Sequence, residues 1–479
     1  MFDILLIHGT VITVDREHHL YRDGYVAVEG DRIALVGDMR ELKELPMAKR
    51  VIDVNGNAVL PGLVDGHGHG GHCLIKTLGE HYQNWLAMAE EIYYRNTDTD
   101  FWYAEGALAA AERMKFGITT GVSIMGSNPR MDILEPLEAN LEASVSVGLR
   151  QMSGIGCAGG AWPKKARVFH KDGSVEEYQV HPDLAHETTR EAVKRLNGKN
   201  PLATCIVAPD SMGWRPSEPA EANIRHNRTM YEIAKEYDVP LHTHAFGGDV
   251  QFMHDTTPEI LNYKMSLVHS TGYSEEELNI LAGSEAYVFH GPTTRSVIRK
   301  FCPAYEMLKR GIHLAVVTDG TAPDRSYDIW RDMKNVQLEQ RIHEAYTGVL
   351  PCGKVLELVT IEPAKALGID HLVGSLEKGK KADVIVVNVH QPHLAPFGAM
   401  PVERLVYHAM GQDVETSIID GTIVMENRKL LLADETQILN QAERAFERMM
   451  ERFGDWSVTK NPALYDLENV SGLAFPANR

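Results

Sequence analysis

Between residue 61 and about residue 370, short apolar runs alternate with helix-length segments, and this alternation restricts the fold more than any other feature of the chain. TDTDFWYAEGALAAAERMKFG precedes ITTGVSI, and HETTREAVKRL precedes ATCIVAPD. ANIRHNRTMYEIAKEYD leads into VPLHTHAFG, SEEELNILAG into AYVFHGP, and SVIRKFCPAYEMLKRG into IHLAVVTDG. A helix between successive strands carries the chain back to the same end of the sheet, so the strands run parallel. Their number predicts a closed α/β barrel with its active face at the C-terminal strand ends.

The flanks have another texture. FDILLIHGTVITV, YVAVEGDRIALVG and RVIDVNGNAVL at the start, and DVIVVNV, LVYHAM and ETSIIDGTIVMENRKLL near residues 383–425, are short strands punctuated by turn residues. Neither flank offers enough strands for its own core, so residues 1–60 and 371–430 are expected to form one small composite β-sandwich domain around a barrel spanning 61–370. In residues 431–479, Ile438, Ala442, Phe446 and Met449 fall at helical spacing and predict a packed amphipathic helix followed by a tail.

The first barrel segment ends in VDGHGHGGH, residues 64–72. Residues two apart on a strand share a face, so His67 and His69 converge, whereas His72 and Cys73 have passed into a glycine-rich loop and are read as packing. Three other apolar runs also end on ligand-type residues: LHTHAFGGD with His242 and His244, SLVHSTG with His269, and AVVTDG with Asp319. A barrel would gather His67, His69, His244, His269 and Asp319 around one pocket. Neutral imidazoles and a carboxylate suit one divalent ion, zinc first, with iron or manganese as alternatives. An aspartate beside a metal-activated water can take its proton. No lysine stands at a strand end to bridge a second ion, and the fourth strand reads ATCIVAPD.

Composition narrows the partners. The formal charge of −18, from 48 Lys plus Arg against 66 Asp plus Glu, disfavours nucleic acid and anionic membranes, which reward contiguous positive surface. Five scattered cysteines without a CxxC pair read as reduced. No run reaches the ~18 apolar residues of a membrane span, so a cytoplasmic protein with a small-molecule substrate and a homo-oligomeric assembly is expected.

The chain resembles the amidohydrolase superfamily, in particular the branch of triazine hydrolases and of guanine, S-adenosylhomocysteine and pterin-type deaminases. LPGLVDGHGHGG is similar to its PGxVDxHxH segment, ERMKFGITTG to its glutamate-to-GTT stretch, VTDGTAPDRSYDIWRDM to its last barrel strand and helix, and GSLEKGKKADVIVV to its GxLxxGxxADxVV return. The resemblance implies a distorted TIM (β/α)8 barrel and a metal-dependent hydrolase of carbon–nitrogen bonds other than peptide bonds. By the same resemblance His67, His69, His244 and Asp319 are the metal ligands, and Asp319 is also the proton acceptor. His269 orients water or substrate, and His290, in HGP, stands near the leaving group. His242 is expected beneath the ion as a supporting hydrogen-bond partner.

Deaminases of this branch carry HxxE at the fifth strand, where the glutamate protonates a ring nitrogen. Here the stretch is His244-Ala-Phe-Gly247, and glycine has no proton to give. The expected reaction is therefore attack of metal-bound hydroxide on an amide, urea, carbamate or heteroaryl C–N bond of a small ring-bearing substrate. Deamination of a purine, pterin or triazine-like ring is the alternative, with Asp249 or a histidine replacing the glutamate; a metal-dependent lyase or isomerase is a third reading. Trp85, Trp214, Arg215, Tyr273 and Arg295 are the candidate substrate-binding residues, since aromatic faces stack on flat rings and guanidinium holds oxygen.

Overall fold

The computed structural model describes residues 1–78, 85–127, 130–170, 172–215, 218–294, 298 and 300–454. Among the described residues the central sheet follows sequence order through eight parallel strands, Leu63–Asp65, Ile118–Met125, Arg150–Ile155, Ala203–Val207, Leu241–Phe246, Met265–Thr271, Tyr287–His290 and His313–Val316, with a ninth, His69–Gly70, pairing beside Ile118–Met125. The second strand, ITTGVSIM, is buried along its whole length, as a strand covered on both faces by helices must be.

Closure between the eighth and first strands is indirect. Val316 N–H donates to Leu358 O and Val64 N–H to Val359 O, so residues 358–359 lie between them. The Asp65 carboxylate adds a staple, accepting from Thr318 N–H at 3.0 Å and Thr318 Oγ–H at 2.8 Å. This nearly closed eight-stranded barrel with helical cover carries a further strand domain from the two chain ends, as the alternation and the flanking texture predict.

In that domain nine strands hydrogen-bond as one sheet. Ala58–Pro61, the last N-terminal strand, pairs antiparallel with Val384–Val387, the first from the C-terminal side. Its strand alternation buries two sets of side chains: Ile4, Leu6, Val26 and Val28 on one face, and Leu5, Ile7, Tyr25 and Ala27 on the other. Arg150, at the base of the third barrel strand, reaches Asp383 at 3.1 Å and Asp420 at 3.4 Å, tying barrel to sheet.

The helix Glu435–Phe453 buries Ile438, Ala442, Ala445 and Met449, with Ile438 against the helix Thr99–Lys115. One element was not anticipated: an antiparallel hairpin, Lys164–Phe169 with Val175–Val180, inserted between the third and fourth barrel strands. All five cysteines are free and buried. Among the described residues no helix is long and apolar enough to cross a membrane.

Candidate active site

His67 follows the first strand, His69 pairs beside the second, His244 lies in the fifth, and Asp319 comes just after the eighth. One ligand atom from each lies within 4.8 Å of the others. The backbone is strained to achieve this: His269 and Asp319 adopt φ of 70° and 63°, a left-handed region that costs a non-glycine residue free energy. Such strain persists only where surrounding packing enforces it. Gly68 between the two first-strand histidines is enforced by packing as well, because a Cβ there would fall 2.4 Å from the Arg113 guanidinium.

The hydrogen bonds decide which imidazole nitrogen faces inward. His69 Nδ1 lies 3.0 Å from Gly126 O and His244 Nδ1 2.9 Å from Asp210 O. A carbonyl only accepts, so each Nδ1 carries the proton and each Nε2 is left with its lone pair. His67 Nδ1 sits 2.8 Å from His242 Nε2, whose other nitrogen lies 2.6 Å from Ser266 Oγ; with Ser266 accepting, this relay has His67 Nδ1 donate and leaves its Nε2 for the cluster. Asp319 Oδ1 then lies 2.9 Å from His67 Nε2 and 3.1 Å from His69 Nε2. Lone pairs facing one another at such distances call for a shared cation, so three neutral imidazoles and a carboxylate fit a divalent ion well. Burial pushes the Asp319 carboxyl up, and the Arg325 guanidinium is the largest of the influences that oppose burial and hold it well below the usual range.

The ligand cluster opens into a cavity of about 230 Å³ lined by His69, His72, Asp210, His244, Phe246 and His269, with Thr294, Asp319 and Arg325 on its other side. His269 is buried, burial lowers its pKa to about 3, and its Nδ1 has no hydrogen-bond partner. His72 stacks on His69 and reaches Ser127 Oγ at 2.6 Å, so it lines the cavity without belonging to the ligand group. Asp210, Thr294 and Arg325 were missed from the sequence. Asp210 ends the apolar run ATCIVAPD, the same signal that marks the other strand-end residues, and Arg325 follows Asp319 closely enough to have been weighed.

Other expected contacts fall elsewhere. His290 lies outside the cavity lining, with Nε2 on Glu339; burial opposes its charge, but Cys302 and Glu339 outweigh burial and raise its pKa to about 10. Arg215 is buried in its own loop, where it donates to Ser211 O and to His226 Nε2. Tyr273 donates to Ser270 Oγ at 3.1 Å, away from the cavity, and Trp214 is half exposed against Phe252. Arg215 and Tyr273 thus lie outside the cavity lining, Arg215 held against the helix Ala220–Glu236 and Tyr273 against its own loop. Trp85 begins the helix Trp85–Arg95, but its side chain, like Arg295, lies outside the described residues.

Nor does the fifth strand offer a carboxyl. A Cβ at residue 247 would stand 2.1 Å from Gly272 O. Asp249 is turned away, its Oδ2 accepting from Phe246 N–H at 2.8 Å, and burial raises its pKa to about 6.

The amidohydrolase family model matches residues 58–424. The 5-methylthioadenosine/S-adenosylhomocysteine deaminase 1 of Syntrophus aciditrophicus is 27% identical over 469 residues, covering 94% of this chain and 98% of its own. The 5'-deoxyadenosine deaminase of Methanosarcina acetivorans is 28% identical over 461 residues, covering 94% and 99%. Among solved structures, a zinc-bound adenosine deaminase from Xanthomonas campestris superposes with a TM-score of 0.79 at 20% identity over 94% of this chain and 98% of that one. A zinc-complexed atrazine chlorohydrolase from Arthrobacter aurescens gives 0.76 at 20% identity over 92% and 100%.

Proposed function

Since the chain belongs to the amidohydrolase family, we propose that it hydrolyses a nonpeptide carbon–nitrogen bond of carbonyl type, an amide or a urea, in a small ring-bearing molecule. Zinc, or iron or manganese in its place, would be held by His67, His69, His244 and Asp319 and would supply Lewis acidity toward water and the electrophile. The observation that carries the carbonyl reading is Gly247: neither it nor Asp249 presents a proton to a ring nitrogen, while Asp319 remains as a base.

In this reading Asp319 receives the proton of the attacking water. Thr294 Oγ–H donates to Asp319 Oδ2 at 2.8 Å and fixes the carboxylate plane. His269, neutral and with a free Nδ1, orients the water or polarises the electrophile through a hydrogen bond rather than a charge. His290, outside the cavity lining with its Nε2 on Glu339, would help the leaving group only indirectly. Self-association is the proposed assembly, supported by Leu338 and Ile342, exposed one turn apart on the helix Ile329–Glu344.

Deamination of an adenosine-like base is the second reading, favoured by the relatives named above. Mass spectrometry in isotopic water separates the two, with matched panels of N-acyl amines, ureas and aminoheterocycles offered to metal-loaded protein. Solvent oxygen entering a carboxyl or carbamoyl product is expected. Ammonia released from an aminoheterocycle, with no turnover of amides or ureas, would overturn the carbonyl reading.

A further inference from the structure

The cavity contains a buried guanidinium for which the reaction above has no use. Arg325 sits in the loop after the eighth strand, its N–H on Thr321 O at 3.1 Å, and its side chain is 4% exposed. Nη1 lies 3.3 Å from Asp319 Oδ2, Nη2 donates to Ala322 O, and Nε is buried with no partner. These contacts leave part of a five-donor group unused.

Arg113, the other arginine near the histidines, behaves differently. Its Nε is likewise buried without a partner, but its Nη1 donates to Ser123 Oγ, its Nη2 donates to Val122 O and lies 3.6 Å from the Asp65 carboxylate, and its plane lies 4.0 Å over the Tyr327 ring, outside the cavity lining. That is a packing arginine. Arg325 pairs with Asp319, a carboxylate it shares with the ligand cluster, and an arginine deprived of full pairing is costly to bury. With a divalent ion on three neutral imidazoles, the carboxylates of Asp319 and Asp210 and this guanidinium leave the cavity net positive. Such a site rewards a ligand that brings electron-rich oxygen. A guanidinium cannot surrender a proton near neutral pH, so Arg325 does not replace a ring-protonating glutamate.

We propose that Arg325 is the specificity-determining residue of the cavity and holds the oxygen of a carbonyl electrophile, which makes the substrate class cyclic amides and ureides. This rests on the carbonyl reading of the reaction. Asp210, which lines the cavity on the His244 side, supplies an acceptor for the N–H that such a group carries.

The test compares matched neutral oxo and amino ligands on zinc-loaded protein by calorimetry at pH 7.5: 2-pyrimidinone with 2-aminopyrimidine, 4-pyrimidinone with 4-aminopyrimidine, and inosine with adenosine. Wild type is expected to prefer the oxo member of at least one pair. Arg325→Met should weaken that member about 10- to 100-fold, the range for a hydrogen bond to a charged group, and leave its amino partner within about threefold. Arg325→Lys, which keeps the charge but not the fork, should fall between; zinc content and melting temperature are measured for both. Equal weakening of both members, no weakening of either, or no binding of any oxo compound at about 10 mM overturns the proposal. Ammonia release from adenosine by a protein whose oxo selectivity still depends on Arg325 would sink the carbonyl reaction and leave this role standing. Hydrolysis of amides unchanged by Arg325→Met would do the reverse.

Discussion

Two clusters in this barrel bring together side chains of the kind that bind metals, and only one of them is arranged as a metal site. Around His67, His69, His244 and Asp319, the outer ring nitrogens are spent on Gly126 O, Asp210 O and His242, so lone pairs converge. The second cluster is Cys157, His186 and His226, whose ligand atoms also lie within 4.8 Å of one another. There Arg215 donates to His226 Nε2 at 3.2 Å, which forces the proton onto Nδ1, and Nδ1 donates to His186 Nε2 at 3.0 Å. Burial also pushes the Cys157 thiol up to about 12, away from the thiolate a metal needs. Both clusters bring their ligand atoms within 4.8 Å of one another; the direction of the hydrogen bonds sets them apart.

The sharpest way to break this contrast is to remove one histidine from each cluster. His244→Ala should reduce bound metal from about one ion per chain to near zero and abolish turnover. His226→Ala should leave metal content unchanged and turnover within about threefold of wild type. Elemental analysis reads both, and metal lost from the second variant but not the first would reverse the assignment.

Within the first cluster, ligation and proton transfer are separated by Asp319→Asn. The amide keeps the size of the carboxylate and one oxygen while losing the base, so kcat is expected to fall about 100- to 10,000-fold in protein shown to retain its metal. A metal-loaded variant with near-normal kcat would remove Asp319 from the proton path.

The first cluster was legible in the sequence because each of its members ends an apolar run, and a strand end fixes both position and direction. Asp210 ends such a run too, ATCIVAPD, and carries the same strand-end signal. The second cluster was not legible. Arg215 looks like a loop residue free to meet substrate, but its loop folds back on the helix Ala220–Glu236, and only the return path of the chain reveals His226 as its partner. The Lys164–Val180 hairpin escaped for a related reason: KKARVF carries three basic residues and VEEYQV is largely exposed, so the continuous apolar signal that marks barrel strands is missing.

Gly247 sharpens the comparison between this cavity and one equipped with a carboxyl at the fifth strand. Gly247→Ala should cost about 1–3 kcal/mol in denaturant unfolding, since the added methyl group meets the Gly272 carbonyl rather than open space. A neutral result would mean that the segment yields readily and that the absence of a side chain there carries no structural demand.

The smallest expected effect tests the second cluster alone. Burial, followed by Arg215 and His186, lowers the pKa of His226 well below 6.5. In the unfolded chain the ring takes up a proton as pH falls through about 6.5, whereas in the folded chain it stays neutral. The unfolded state therefore binds more protons below that pH, and folding stability falls as the solution is acidified. The contribution of one such group is at most about 1.4 kcal/mol per pH unit. His226→Gln keeps a side chain able to accept from Arg215 but cannot titrate. Its melting temperature should be lower than that of wild type at pH 7.5, and the gap should narrow between pH 6.5 and 5 because wild type alone pays the protonation of this ring. A gap that widens on acidification would mean that His226 is stabilised by charge in the folded protein, and the hydrogen-bond chain that distinguishes this cluster from the metal site would have to run the other way.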